Sequence, residues 1–598
     1  MASIADHSGP RPRPADRRQP TRLGLALFGA KVALFCARRT LAEFGRAPKR
    51  LRRAGDPAVY DHLLVESVTS LWSDASLAER AMQLGKVHNL RRAAMAFDGL
   101  ELPAAAVLSF WRQLGKASRS RGFADGRMLQ EGCMIPAVGG GLCQLSNALY
   151  DVALRAGCEI VERHAHSRMV PGSAAAWGRD ATVAWNYVDL RFASARPLRL
   201  SVRLDEERLV VSLFARSSDP APTSEPSERG ALVDPRAAAE SCGSCDQTDC
   251  ALHESSRPPP ALPTGRAAFL VDEAWPELLA HVTGERRDGD LLCLPRRDAW
   301  ANATFADIVT APCQALARSL AWRTTPSQGP TRRRAEASTS AAIARALGTR
   351  LGPEVTEVTV AQSLLPDLWR DGWLGGRRFS VLMTRLPTDL LQARLDAAFA
   401  RHPDRVTLAD YRALEWLIAA ETAALARAET IVTPHAEIAA LFPGRVRLLD
   451  WRRPSVPATP PRRGDVIAFP GATVARKGAY ELRDAALSLG LTIRPLGAEL
   501  EGPDFWRGVA LDAPASPAEW LDGVAAVVAP ALVESAPRRL LAALAAGVPV
   551  IATEACGLAP QPGFHLVPAD DVDALAAAIE AVLRARRTQS SAMATVNG

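Results

Sequence analysis

The stretch VVAPALVESAPRRLLAALAAGVPVIAT occupies residues 527–553 of a 598-residue chain. Two apolar runs, AAVVAP (525–530) and VPVIAT (548–553), enclose a helix-forming segment. An apolar run without alternation reads as a strand buried on both faces, the condition of a parallel sheet covered by helices. The same alternation of strands and helices fills 264–586. Its strands are AAFLV (267–271), DLLCL (290–294), ETIVT (429–433), VRLLD (446–450), DVIAF (465–469) and LTIRPLG (491–497). Roughly 320 residues exceed one such core. Two Rossmann-like α/β domains are therefore expected, over 264–455 and 456–586, with the proline-rich WRRPSVPATPPRRG (451–464) as a hinge and 587–598 as a tail.

Upstream, 57–216 reads as a separate α+β domain. Its GGGLCQLSNALYDVALRAG (139–157) keeps apolar residues at helical spacing from Leu145 to Ala156, with Gly157 at the C-cap. Cys143 then falls in the first helical turn, where unpaired N–H groups and the macrodipole favour a thiolate. The glycines admit a close approach or a tight turn. Downstream stand His164 and His166, two apart and so on one face of a strand, and then Asp180. Thiolate, imidazole and carboxylate in that order suit a nucleophilic triad. They also suit a buried cysteine, a core histidine and a turn-capping aspartate.

Composition narrows the class. Hydrophobic content of 48% and charged content of 23% are those of globular protein, and a net charge of +7 at this length gives no case for nucleic acid. Residues 1–56 read as a disordered basic tail followed by an apolar helix, LGLALFGAKVALFC (23–36), interrupted by Lys31 and flanked by arginines. That run is shorter than the ~18 residues of a spanning helix and lacks a signal-peptide pattern. With its basic flanks, 23–53 suits an anionic membrane surface or docking on its own protein. Ten cysteines, seven of them scattered and three clustered at 242–250, fit a reducing compartment, hence a cytoplasmic location, peripheral on the inner face of the membrane. After Lys116 the only lysine is Lys477.

The linker, 217–263, contains SCGSCDQTDCALHE. Cys242, Cys245, Cys250 and His253 form C-x2-C-x4-C-x2-H, which suits structural zinc ahead of an iron–sulfur site or free thiols. Metal ligation would supply the folding free energy of so polar a segment.

Two resemblances add to this reading. The GGGLCQ, ERHAHS and GRDATV runs, Gly139–Gln144, Glu162–Ser167 and Gly178–Val183, resemble in order the signature of the VanW family. That likeness identifies a domain over 57–216 without supplying its reaction. The 527–560 segment, with Glu534, Ser535, Pro537 and Gly547, resembles the nucleotide-sugar segment of group 1 glycosyltransferases of GT-B fold. So does 464–486, with Lys477 and Gly478. The resemblance implies that Lys477, with Arg476, meets a donor diphosphate and that Glu534 contacts the sugar. The chain departs from the family at Ala542, where a ribose-holding glutamate is expected, and at Ala472, where a phosphate-loop arginine is expected.

The leading expectation is a glycosyltransferase moving a sugar from a nucleoside-diphosphate donor to an envelope glycan or lipid-linked acceptor. The competing readings are a hydrolase or acyltransferase built on Cys143, a histidine and Asp180, with a degenerate transferase half, and a non-catalytic envelope-associated binding protein.

Overall fold

The computed structural model describes residues 21–72, 77–130, 133–166, 179–218, 240–241, 265–297, 300, 305–326, 328–455, 461–462 and 464–596. It divides into two compact units, Met1–Thr264 and Gly265–Gly598. It is a mixed α/β chain, mainly antiparallel in the first unit and parallel in the second.

The first unit opens with the helix Arg22–Ala42, capped by Thr21, whose hydroxyl accepts from Gly24 N at 3.0 Å. Leu23, Leu27, Leu34 and Leu41 stay exposed. Its opposite side docks on the same unit through Cys36 Sγ, 3.1 Å from Trp185 O, and the Arg39–Glu162 ion pair. Among the described residues no helix is long and apolar enough to cross a membrane. The core lies between an antiparallel sheet and the helices Leu77–Phe97 and Leu142–Arg155. Within that sheet the hairpin Leu198–Leu204 and Arg208–Ala215 pairs with His62–Ser70. The helix Leu142–Arg155 ends as its sequence predicts: Gly157 has φ +70°, and Cys158 N and Gly157 N donate to Ala153 O and Leu154 O, a Schellman closure.

The three glycines before that helix answer a packing demand. A Cβ on Gly140 would stand 2.2 Å from Gly126 O, and one on Gly141, at φ +96°, would stand 2.2 Å from Lys86 Cγ. The turn is pressed backbone to backbone against the strand Asp125–Gln130. In the linker, Glu240–Ser241 adds a short parallel pairing to Cys133–Val138. Apart from 217–218, the rest of that segment lies outside the described residues.

The second unit contains two parallel sheets. The seven-stranded one runs Asp307–Thr310, Leu291–Leu294, Arg266–Leu270, Val355–Ala361, Arg378–Leu382, Thr430–Thr433, Val446–Leu448. The six-stranded one runs Ala510–Leu511, Thr492–Pro495, Val466–Phe469, Val524–Ala529, Val550–Ala552, Phe564–Leu566. Both faces of the second sheet are covered. Ile467 and Phe469 pack on Leu482, Leu575 and Ile579, whereas Ala468 packs with Leu540 and Leu541 on the other side. The final helix, Val572–Val596, continues through the segment expected to be a tail.

Gly140→Ala is expected to destabilise the first unit by ~1–3 kcal/mol, because neither facing backbone can yield. Gly55→Ala, with open space around it, should stay within ~0.5 kcal/mol of wild type. Urea unfolding midpoints of the two variants make the comparison.

Candidate functional site

Each parallel sheet has its first and fourth strands side by side at the centre. Connections from those strands leave toward opposite faces, which opens a crevice at their carboxyl ends. In the six-stranded sheet these strands are Val466–Phe469 and Val524–Ala529. Lys477 follows the first and Glu534 the fourth, and Lys477 Nζ lies 2.9 Å from Glu534 Oε2 and 3.0 Å from Val533 O. Burial raises the Glu534 carboxyl, but the Lys477 cation and the N–H groups of Ala536 and Ser535 outweigh it and hold it below the usual carboxylate range. A Cβ on Gly471 would stand 3.3 Å from that of Lys477, and one on Gly478, at φ +78°, would stand 2.1 Å from Pro530 O. Glu501 fixes the intervening loop by accepting from Ala475 N at 2.7 Å and Tyr480 Oη at 3.1 Å.

Arg476 lies in the same loop as Lys477. Its carbonyl accepts from Leu532 N, and its guanidinium reaches Gln328 at 3.4 Å. Ala542 is half-buried on the helix Arg538–Ala545. From the same helix, Arg539 Nη1 reaches Pro470 O at 2.5 Å and Leu496 O at 3.1 Å, tying it to the strand ends.

Three groups at strand ends escaped the sequence reading. His435 Nε2 contacts Glu534 O at 2.9 Å, and a Cβ on Gly557 would stand 2.3 Å from its ring. At the crevice of the seven-stranded sheet, Asp272 accepts from Ser363 Oγ at 3.0 Å and pairs with Arg318 at 2.7 Å. Beside it Glu273 is raised, chiefly by burial, with Arg385 opposing. A polar residue directly after an apolar strand was the available signal.

In the first unit the structure separates the two histidines. The strand Glu159–Glu162 ends before them, so they do not share a strand face. Asp180 provides the physical reason: its Oδ2 takes the backbone N–H of His166 at 2.7 Å, in place of a ladder partner. The same oxygen lies 2.7 Å from His166 Nδ1, and Arg163 Nη2 donates to Oδ1 at 2.8 Å. His164 instead faces Glu162 at 3.3 Å with its side chain 48% exposed. Burial lowers the His166 pKa, yet hydrogen bonds and charges of Asp180 and Cys143 raise it from 6.5 to about 9. Cys143, His166 and Asp180 thus come together, and His164 does not join them.

Among the described residues no group of His, Cys, Asp and Glu is arranged to hold a metal ion. Cys242, Cys245, Cys250 and His253 lie outside the described residues.

A raised histidine pKa stabilises the folded state below the unfolded value, ~6.5, and that contribution is lost as pH rises through about 9. Histidine-selective NMR should show the His166 ring titrating near the upper value. Asp180→Asn should move that titration downward, toward the ordinary range.

Comparison with known proteins places these sites in context. Residues 85–214 match the family described as VanW like protein, and 501–585 match Glycosyl transferases group 1. Vancomycin B-type resistance protein VanW of Enterococcus faecalis (strain ATCC 700802 / V583) is 30% identical over 159 residues, 26% of this chain and 58% of that protein. The uncharacterized protein YoaR of Bacillus subtilis (strain 168) is 32% identical over 130 residues, 21% of this chain and 42% of that one. The chain therefore spans about half the length of these curated relatives. Among solved structures, a sucrose-phosphate synthase from Thermosynechococcus elongatus aligns at 15% identity and TM-score 0.36, covering 54% of this chain and 90% of that one. Anabaena Alr3699/HepE in complex with UDP and glucose aligns at 13% identity and TM-score 0.32, covering 53% and 90%. The chain joins a VanW-like domain, over 85–214, to a group 1 glycosyltransferase domain, over 501–585.

Proposed function

We propose that the second unit transfers a sugar from a nucleoside-diphosphate donor to an envelope glycan or a lipid-linked acceptor. The observation that carries this reading is the Lys477–Glu534 pair across the crevice of the six-stranded sheet. A cation, glycine-lined backbone and the ends of parallel strands suit a pyrophosphate, and a carboxylate beside them suits sugar hydroxyls. Lys477 neutralises charge that develops on the leaving diphosphate, so its charge can do work otherwise done by a metal ion. The crevice of the seven-stranded sheet, with Asp272, Glu273 and Ser363, faces the acceptor in this reading. The exposed leucines of Arg22–Ala42 and the arginines after them suit contact with an anionic membrane surface on its cytoplasmic side, where a lipid-linked acceptor is presented.

Lys477→Ala removes a charge-assisted contact worth ~1.5–3 kcal/mol, so UDP or GDP affinity should fall roughly 10- to 150-fold by calorimetry. Glu534→Ala leaves Lys477 without its carboxylate partner. It should keep or tighten binding of the bare nucleotide while slowing sugar transfer. A wild-type protein that binds neither nucleotide at millimolar concentration overturns the reading.

A further inference from the structure

We propose that Cys143 and His166 form a second reactive centre, independent of sugar transfer, at which the Cys143 thiolate takes an acyl group from an amide or ester. Four observations converge on it. Cys143 stands in the first turn of the 14-residue helix Leu142–Arg155, whose N-cap, Gly141, supplies no side-chain hydrogen bond. Gln144 N donates to Gly141 O at 3.0 Å, so the N–H groups of Leu142 and Cys143, at the very start of the helix, are the ones that would receive an oxyanion in this proposal. Cys143 is half-buried, with Sγ 4.0 Å from Val183 O. His166 lies near enough to that thiol for the thiol to raise the imidazole's pKa, and its Nδ1 is engaged by Asp180, so Nε2 is the ring nitrogen this proposal assigns to the sulfur.

Asp180 is the positioning residue. Three donors hold it: the His166 backbone N–H, the His166 ring and Arg163. It is only 5% exposed, so turning the imidazole away would cost a buried, charge-assisted hydrogen bond. Ala181, next in the chain, is tied to the reactive helix by Asn147 Oδ1 at 2.8 Å and Ser146 Oγ at 2.5 Å. Nucleophile, base and orienting group therefore sit on elements bonded directly to one another.

The step balances as follows. His166 Nε2 accepts the Cys143 proton, and the sulfur electron pair forms a C–S bond to the carbonyl carbon. The C=O pair moves to oxygen. On collapse the C–N or C–O bond breaks, and the leaving amine or alcohol takes the proton from His166. Water, deprotonated by His166, then attacks the thioester. The C–S bond breaks, the acid is released, and the thiolate regains the proton.

The test is acetylation of the full chain by p-nitrophenyl acetate, followed by p-nitrophenolate release and peptide mass spectrometry. Cys143 should acetylate ~10²-fold or more faster than the exposed Cys313, and His166→Gln should abolish that advantage. Asp180→Asn should slow acetylation in step with the downward shift of the His166 titration, a coupling that a merely structural carboxylate would not produce. Iodoacetamide labelling of the unaltered protein compares the same two thiols without any variant, and Cys143 should again lead. Equal rates at Cys143 and Cys313 with both reagents, or an unchanged rate in a folded His166→Gln protein, overturn the proposal. Because the readout is thiol acylation and needs no nucleotide, failure of nucleotide binding by the second unit is distinguishable from failure of this proposal.

Discussion

A parallel sheet can be covered on both faces only if the chain reverses its direction of winding, and the second unit depends on that reversal twice. Each reversal places the first strand beside the fourth and leaves the loops beyond them uncovered. Lys477 and Glu534, 57 residues apart, meet for this reason. The two sheets of this unit are joined where the consequences are electrostatic. Arg538 forms a two-pronged pair with Glu277 at 2.7 and 2.6 Å, and its guanidinium lies 5.4 and 5.2 Å from the rings of Trp275 and Trp451. The Glu277 side chain is fully buried, so separating the pair would strand a carboxylate. Arg538 begins the helix that follows Glu534, which links the crevice loop to the neighbouring sheet.

The first unit uses a different constraint. Close backbone contact around Gly85, Gly126 and Gly140 sets the entry of the helix Leu142–Arg155. A helix entering through glycines has no capping side chain; Gln144 N turns back to Gly141 O instead, and Cys143 stands beside it in the first turn. The packing requirement and the chemical opportunity have one origin. The tight turn and the placement of Cys143 near His166 and Asp180 are compatible, because the same glycine contacts set where the helix begins.

Much of the fold was legible because burial on both faces removes alternation from a strand, and periodicity is a local property. AAVVAP, VPVIAT and DVIAF became central strands, and Gly157 closed its helix where the spacing put it. Lys477 was legible as well, since a lone lysine in an arginine-rich chain stands out. The partition of roles was not legible. His164 and His166 have the same spacing on paper, and only Asp180, brought back by the fold, claims the backbone and ring of one of them. Arg476 is adjacent to Lys477 in sequence, yet its side chain reaches Gln328 of the other sheet's body. His435, Asp272 and Ser363 lie far apart along the chain and become parts of crevices only when strands align. Sequence by itself determined which segments are strands and helices, because that follows from the burial of each residue's neighbours. Tertiary structure alone decided which polar side chains meet, because a hydrogen bond or ion pair is set by distance in space, and the chain carries no local record of it.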